Sequence, residues 1–170
     1  IDHKSLAARP CFLCEKNRPE EQMTKTIDKD FELLINPFPI LPEHYTIPLR
    51  RHEPQQIAPH YAEIYKLLDY FPELMVFYNG PRCGASAPDH THFQGGSSGV
   101  LPLQQAWQRL SHSLEPVISL SEDDQLAMVK AYPCHAFAIK SRSAKAGEKL
   151  FRELYRALPL HEGETEPMMN

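Results

Sequence analysis

The chain has 170 residues, 42% hydrophobic and 24% charged, with a formal net charge of −4 at pH 7. That length suits one domain with a real core, and the ordinary hydrophobic content excludes an intrinsically disordered chain. The mixed charge leaves no footprint for nucleic acid, and no apolar run approaches the roughly 20 residues a membrane-spanning helix needs.

The opening IDHKSLAARPC has neither the apolar core of a signal peptide nor an initiating Met. The expectation is a soluble, cytoplasmic chain whose first residue is not the first of its gene. Four cysteines are too few for a disulfide scaffold. Two of them, Cys11 and Cys14, form a CxxC, which in this setting points to metal or redox chemistry.

In chain order, residues 1–30 are polar and turn-rich apart from CFLC. FELLIN (31–36) predicts a buried strand, and the prolines of NPFPILP (36–42) predict an irregular connection. EHYTIPL (43–49) predicts a second strand whose end Pro48 keeps near an edge. Ile57, Tyr61, Ile64, Leu67 and Leu68 recur at helical spacing, which predicts an amphipathic helix over 55–70. ELMVFY (73–78) is a third strand, followed by the small-residue loop 79–89. HTHFQ (90–94) alternates as a strand before a flexible GGSSG. Residues 100–118 are ambiguous, with WQRLSHSL readable as a short helix. A late strand is expected at 134–140, then a helix over 144–158 capped by Ser143.

The segment YNGPRCGASAPDHTHFQGG (78–96) carries the chemistry. On a strand His90, His92 and Gln94 share one face at about 7 Å spacing. A bare HxH is most often structural. Here the preceding loop, the following Gln and the distant CxxC together favour a functional site. A loop of small residues exposes backbone N–H groups that can cradle phosphate oxygens. A neutral imidazole can attack phosphorus, and the Gln94 amide can donate to a non-bridging oxygen, a contribution of about 3 kcal/mol in the transition state.

HTHFQ after NGPRCGAS resembles the HxHxQ signature of the galactose-1-phosphate uridylyltransferase branch of the histidine-triad superfamily. Diadenosine tetraphosphate phosphorylases and GDP-galactose phosphorylases belong to the same branch. LINPFPILPEHYTIPLRRH (34–52) is similar to that superfamily's upstream strand pair, and CFLC matches the CxxC of some of its transferases. A Bacteroides-type bacterial group with PFPI, PxH, GAS and HxHFQ in this order gives the best overall likeness. The resemblance covers residues 11–96 well, 97–140 loosely and the rest hardly at all.

The resemblance implies that His92 is the nucleophile, forming a covalent nucleotidyl-histidine, and that Gln94 contacts the phosphoryl group. It implies that Asn79, Gly84 and Ser86 help hold the phosphates. Arg82 is a further candidate there, against its reading as a solvated loop residue. It maps a structural zinc onto Cys11, Cys14, His52 and His90, with His44 the rival third ligand. The expected fold is α+β, a histidine-triad-like antiparallel sheet with a packed helix and one half of a two-repeat transferase.

The expected organisation is a zinc-anchoring segment at 1–30, a catalytic domain at 31–140, and a helix and tail at 141–170 leading onward. The expected substrates are a nucleotide or nucleotide-sugar donor and a phosphate or sugar-phosphate acceptor. A homodimer is in keeping with the branch. Gln94 in place of the third triad His points to transfer rather than hydrolysis. Two alternatives stay open: a dinucleoside polyphosphate hydrolase, and a non-catalytic, zinc-stabilised nucleotide-binding module. Lys140 and Arg142 are weaker candidates for an anionic acceptor, and Cys83 reads as a small residue tolerated in a tight loop.

Overall fold

The computed structural model describes residues 9–170, which divide into two compact units. Among the described residues the first unit comprises 9–57, 67–97 and 160–170, and the second 58–66 and 98–159. No helix among them is long and apolar enough to cross a membrane.

The first unit is built on a five-stranded antiparallel sheet. Its strands are β1 (Thr24–Thr26), β2 (Glu32–Ile35), β3 (His44–Pro48), β4 (Leu74–Phe77) and β5 (His92–Ser97), in the order β1-β2-β3-β5-β4. The last strand in sequence is thus inserted between two earlier ones. Ile47 on β3 lies opposite Phe93 on β5, and both are fully buried. The rings of Phe31 and Tyr78 lie 6.0 and 6.1 Å from that of Phe93. Each such apolar side chain contributes about 2 kcal/mol on burial.

β5 begins two residues later than the alternation of HTHFQ suggests and runs through Gly95 and Gly96. The glycines are there for close packing rather than flexibility. A Cβ on Gly96 would lie 2.3 Å from Leu41 Cδ1, on the proline-rich connection, and one on Gly95 would meet Ile47 and Leu74.

The expected helix over 55–70 is shorter, α1 (Glu63–Tyr70), because the residues before it are committed elsewhere. The Thr91 N–H donates to Glu53 O at 2.7 Å and the Gln55 N–H to Pro88 O at 3.1 Å. Residues 53–55 are thus tied to 88–91, and Pro59, which disfavours helical backbone at Ala58, opens the turns that lead into α1.

The second unit contains a three-stranded antiparallel meander of β6 (Leu114–Ser119), β7 (Gln125–Val129) and β8 (Phe137–Lys140). Two one-turn helices precede it, α2 (Pro102–Gln105) and α3 (Trp107–Leu110), and α4 (Ala144–Ala157) follows. The sequence signals for β6 and β7 were weak, since β6 carries Pro116 and a register shift and is mostly exposed. β8 is shorter than the strand expected at 134–140. α4 begins where expected, with Ser143 Oγ accepting the Ala146 N–H at 3.2 Å. Its Phe151 ring stacks on that of Tyr61 at a centroid distance of 4.0 Å.

Candidate metal centre and active site

Four side chains from three separate stretches of the first unit converge. One ligand atom from each of Cys11, Cys14, His52 and His90 lies within 4.8 Å of all the others. His90 Nδ1 is 3.3 Å from Cys11 Sγ, 3.6 Å from Cys14 Sγ and 3.3 Å from His52 Nδ1. His52 Nδ1 is 3.3 Å from Cys14 Sγ. Ligand atoms 2.0–2.3 Å from a tetrahedral metal are about 3.3–3.8 Å apart, so these separations are the edges of such a site.

The chemistry of the donors agrees with their spacing. His90 Nε2 lies 2.7 Å from the Leu49 carbonyl and must carry the proton there, which leaves Nδ1 with a bare lone pair facing the sulfurs. Burial also lowers the His90 pKa, keeping the ring neutral, and pushes the Cys11 thiol up to about 11. A metal ion would hold that sulfur as a thiolate by supplying the missing positive charge.

The CxxC turn is itself clamped. The Cys14 N–H donates to Cys11 O at 3.2 Å, and Arg18 donates to Leu13 O through Nε and Nη2 at 2.9 and 2.7 Å. Arg18 Nη1 then reaches Glu32 Oε2 on β2 at 2.6 Å, a pair whose side chains are 7% and 8% exposed. Cys11 and His90 are buried, whereas His52 is exposed at a cleft of about 660 Å³ that also meets Cys14, Lys16 and Arg50.

His92 opens β5, fully enclosed. Its Nδ1 lies 2.8 Å from the His90 carbonyl and therefore donates, so Nε2 of the neutral ring carries the lone pair. Burial pushes its pKa below the usual histidine range, in keeping with a neutral ring. The Gln55 side chain brackets the His92 backbone. Oε1 accepts the His92 N–H at 2.8 Å, while Nε2 donates to His92 O at 3.0 Å and to Asn79 O at 2.9 Å.

Gln94 follows on the same face of β5. The Ile40 N–H donates to His44 Nδ1 at 3.2 Å, so His44 Nε2 carries the proton and donates to Gln94 Oε1 at 2.8 Å. That bond fixes the Gln94 amide with its NH₂ group left as a donor. It also engages both nitrogens of His44, whose ring stacks on Phe77, and His44 stands outside the four-residue cluster.

His90 is the departure from the expected row of three side chains. It precedes the strand, with its N–H bonded to Ala87 O at 3.0 Å, and turns toward the cysteines.

The loop after β4 carries the remaining candidates. Gly84 has a φ of +98°, a conformation that favours glycine, with the Asn79 side chain beside it. The Cys83 and Ala85 N–H groups both turn back onto Gly80 O, at 2.8 and 3.3 Å. The Ser86 carbonyl accepts from Arg9 at 3.5 Å, and Arg82 lies 4.0 Å from Glu164. Burial raises the Cys83 thiol above its usual range. In the second unit Lys140 and Arg142 both close on Asp123, at 3.1 and 2.6 Å.

Gln55, Arg18 and Glu32 escaped the sequence reading. Nothing in EPQQ separates Gln55 from Gln56, and the Arg18–Glu32 pairing is visible only once β2 is folded against the CxxC turn.

The chain is thus an α+β protein whose first unit presents a two-cysteine, two-histidine centre able to hold a metal ion, with a second buried histidine beside it. It belongs to the family described as a domain of unknown function, DUF4922, whose model matches residues 1–97. No curated protein matches the chain. Among solved structures, a histidine triad protein from Clostridium difficile is 16% identical with a TM-score of 0.39, over 60% of this chain and 97% of that one.

Proposed function

We propose that the first unit is a nucleotidyltransferase of the histidine-triad kind, working by double displacement at His92. One observation carries the reading: the His92 ring is held by its Nδ1–H on the His90 carbonyl, which makes Nε2 the nucleophilic nitrogen. In the first step Nε2 attacks the α-phosphorus of a nucleotide donor. An N–P bond forms, the bridging P–O bond breaks, and its electron pair leaves with the phosphorylated leaving group. In the second step an oxygen of phosphate or of a sugar 1-phosphate attacks the same phosphorus, and the N–P electron pair returns to Nε2.

Gln94 donates its NH₂ to a non-bridging oxygen as charge develops there, in the orientation His44 imposes. Asn79, Gly84, Ser86 and Arg82 are the proposed phosphate-holding set. Zinc is the metal that suits two thiolates and two neutral imidazoles, and with four protein ligands its role is structural. It would tie the CxxC turn to His90, whose carbonyl orients His92. A cytoplasmic setting suits the free thiols of Cys11 and Cys14.

Stereochemistry tests the double displacement. Two in-line steps give net retention at the α-phosphorus of a chiral phosphorothioate donor. Net inversion would mean direct transfer without His92 as a covalent carrier.

A further inference from the structure

The family match ends at residue 97, yet the first unit is completed by residues 160–170. Glu166, in that stretch, is 2% exposed. Its Oε2 accepts the Ile57 N–H at 2.8 Å and its Oε1 accepts the Tyr78 hydroxyl. These bonds span 109 and 88 residues of sequence.

Both partners flank Gln55. Ile57 lies two residues beyond it on the stretch whose Gln55 N–H donates to Pro88 O at 3.1 Å. The other end of that stretch is fixed by Thr91, whose N–H donates to Glu53 O at 2.7 Å and whose hydroxyl donates to Pro54 O at 2.6 Å. Tyr78 precedes Asn79, whose carbonyl accepts from the same Gln55 amide that brackets His92. Glu166 is therefore the far anchor of both segments between which Gln55 is held.

The stretch also fastens the loop itself. The Gly80 N–H donates to Met169 O at 3.0 Å and to Asn170 Oδ1 at 3.2 Å, and a Cβ on Gly80 would lie 2.7 Å from Met169 O.

We propose that Glu166 is a positioning residue for His92, acting through Gln55, so that residues 160–170 belong to the catalytic unit rather than following it. The role rests on the reading of His92 as nucleophile. Without the carboxylate, Ile57 and Tyr78 lose a shared acceptor, the 53–57 stretch gains freedom, and the His92 backbone shifts with the Gln55 amide. Misplacing a reacting group by about 1 Å costs on the order of a hundredfold in rate.

The test uses zinc-loaded protein with ¹⁵N-labelled histidine, as wild type, Glu166→Gln, Glu166→Asp and Tyr78→Phe. Solvent exchange of the His92 Nδ1–H, read by NMR, needs no activity. It is expected to be about tenfold faster or more in Glu166→Gln, whose single amide oxygen cannot accept both bonds, and faster than wild type in Tyr78→Phe, which keeps only the Ile57 bond. The single-turnover rate of nucleotide transfer from a donor is expected to fall about ten- to a hundredfold in Glu166→Gln with KM little changed. Glu166→Asp, which keeps the charge, should recover part of it.

Wild-type exchange at His92 in Glu166→Gln overturns the proposal, whatever happens to the melting temperature. If Glu166→Gln does not fold, Tyr78→Phe carries the same measurement. A wild type that transfers no nucleotide overturns the nucleophile reading, while the exchange comparison still decides whether Glu166 holds His92.

Discussion

The Gln55 side chain grips the backbone of His92 on both sides, accepting from its N–H at 2.8 Å and donating to its carbonyl at 3.0 Å. An amide that completes the edge of a strand in this way substitutes for a neighbouring peptide. It fixes the start of β5 where the proposed nucleophile stands.

Replacing Gln55 by Leu leaves the His92 N–H and two carbonyls buried without partners. The expected cost is about 2–5 kcal/mol of stability, read by urea unfolding. Glu at this position keeps the acceptor for the His92 N–H and loses both donated bonds, so it too should destabilise. A Gln55→Leu protein as stable as wild type would show that the bracket contributes nothing.

Metal content follows from the four-residue cluster. Purified protein is expected to carry about one zinc per chain by elemental analysis, and Cys11→Ser or His90→Ala to lose most of it. Chelation should lower the melting temperature and speed amide exchange across residues 10–18, which the metal would fasten to His90. Unchanged exchange in that segment after metal removal would count against a structural role.

The buried Arg18–Glu32 pair supports the same centre from beneath. Arg18→Ala leaves the Glu32 carboxylate only the half-exposed Arg50, 3.6 Å away, and frees the Leu13 carbonyl, so a loss of about 3 kcal/mol is expected. Zinc affinity should weaken as well, because the CxxC turn loses its brace. A competition titration against a chromophoric chelator measures this, and equal affinity in the two proteins would refute the coupling.

Glu166 sets a pH dependence of stability. Burial raises its pKa in the folded state, more than the Tyr78 and Ile57 hydrogen bonds lower it. The folded chain then binds a proton more tightly than the unfolded chain does. This contribution is most favourable below the ordinary value of 4.5 and is lost as pH rises through the folded pKa. Tyr78 is the titratable group bonded to it, and its charge is felt by the Cys83 thiol. Denaturant unfolding across this range should show a downward slope in wild type that is reduced in Glu166→Gln. Parallel curves would mean that Glu166 titrates alike in both states.

Much of the site was legible because its signals are local. HTHFQ, the CxxC and His52 each stand in a short motif, and the metal-ligand set inferred from likeness coincides with the four side chains that meet. Strands β2, β3 and β4 were legible as short apolar runs, and α4 through its period and its Ser143 cap. What could not be read depends on distant partners. Gly95 and Gly96 look like a flexible linker until Leu41 is packed on Gly96. Residues 55–57 open a run with helical spacing but spend their polar groups on residues 79–92 and on Glu166. β6, exposed and interrupted by Pro116, lacks the alternation that would mark it.

The central claim is that His92 carries the nucleotidyl group, and intact-protein mass spectrometry reads it directly. The protein is incubated without acceptor with a panel of nucleoside-diphosphate sugars and with diadenosine tetraphosphate. A mass gain of one nucleoside monophosphate, absent in His92→Ala, is the expected result, and the mass names the base. No adduct with any donor from zinc-loaded protein, or an adduct that persists in His92→Ala, would contradict it.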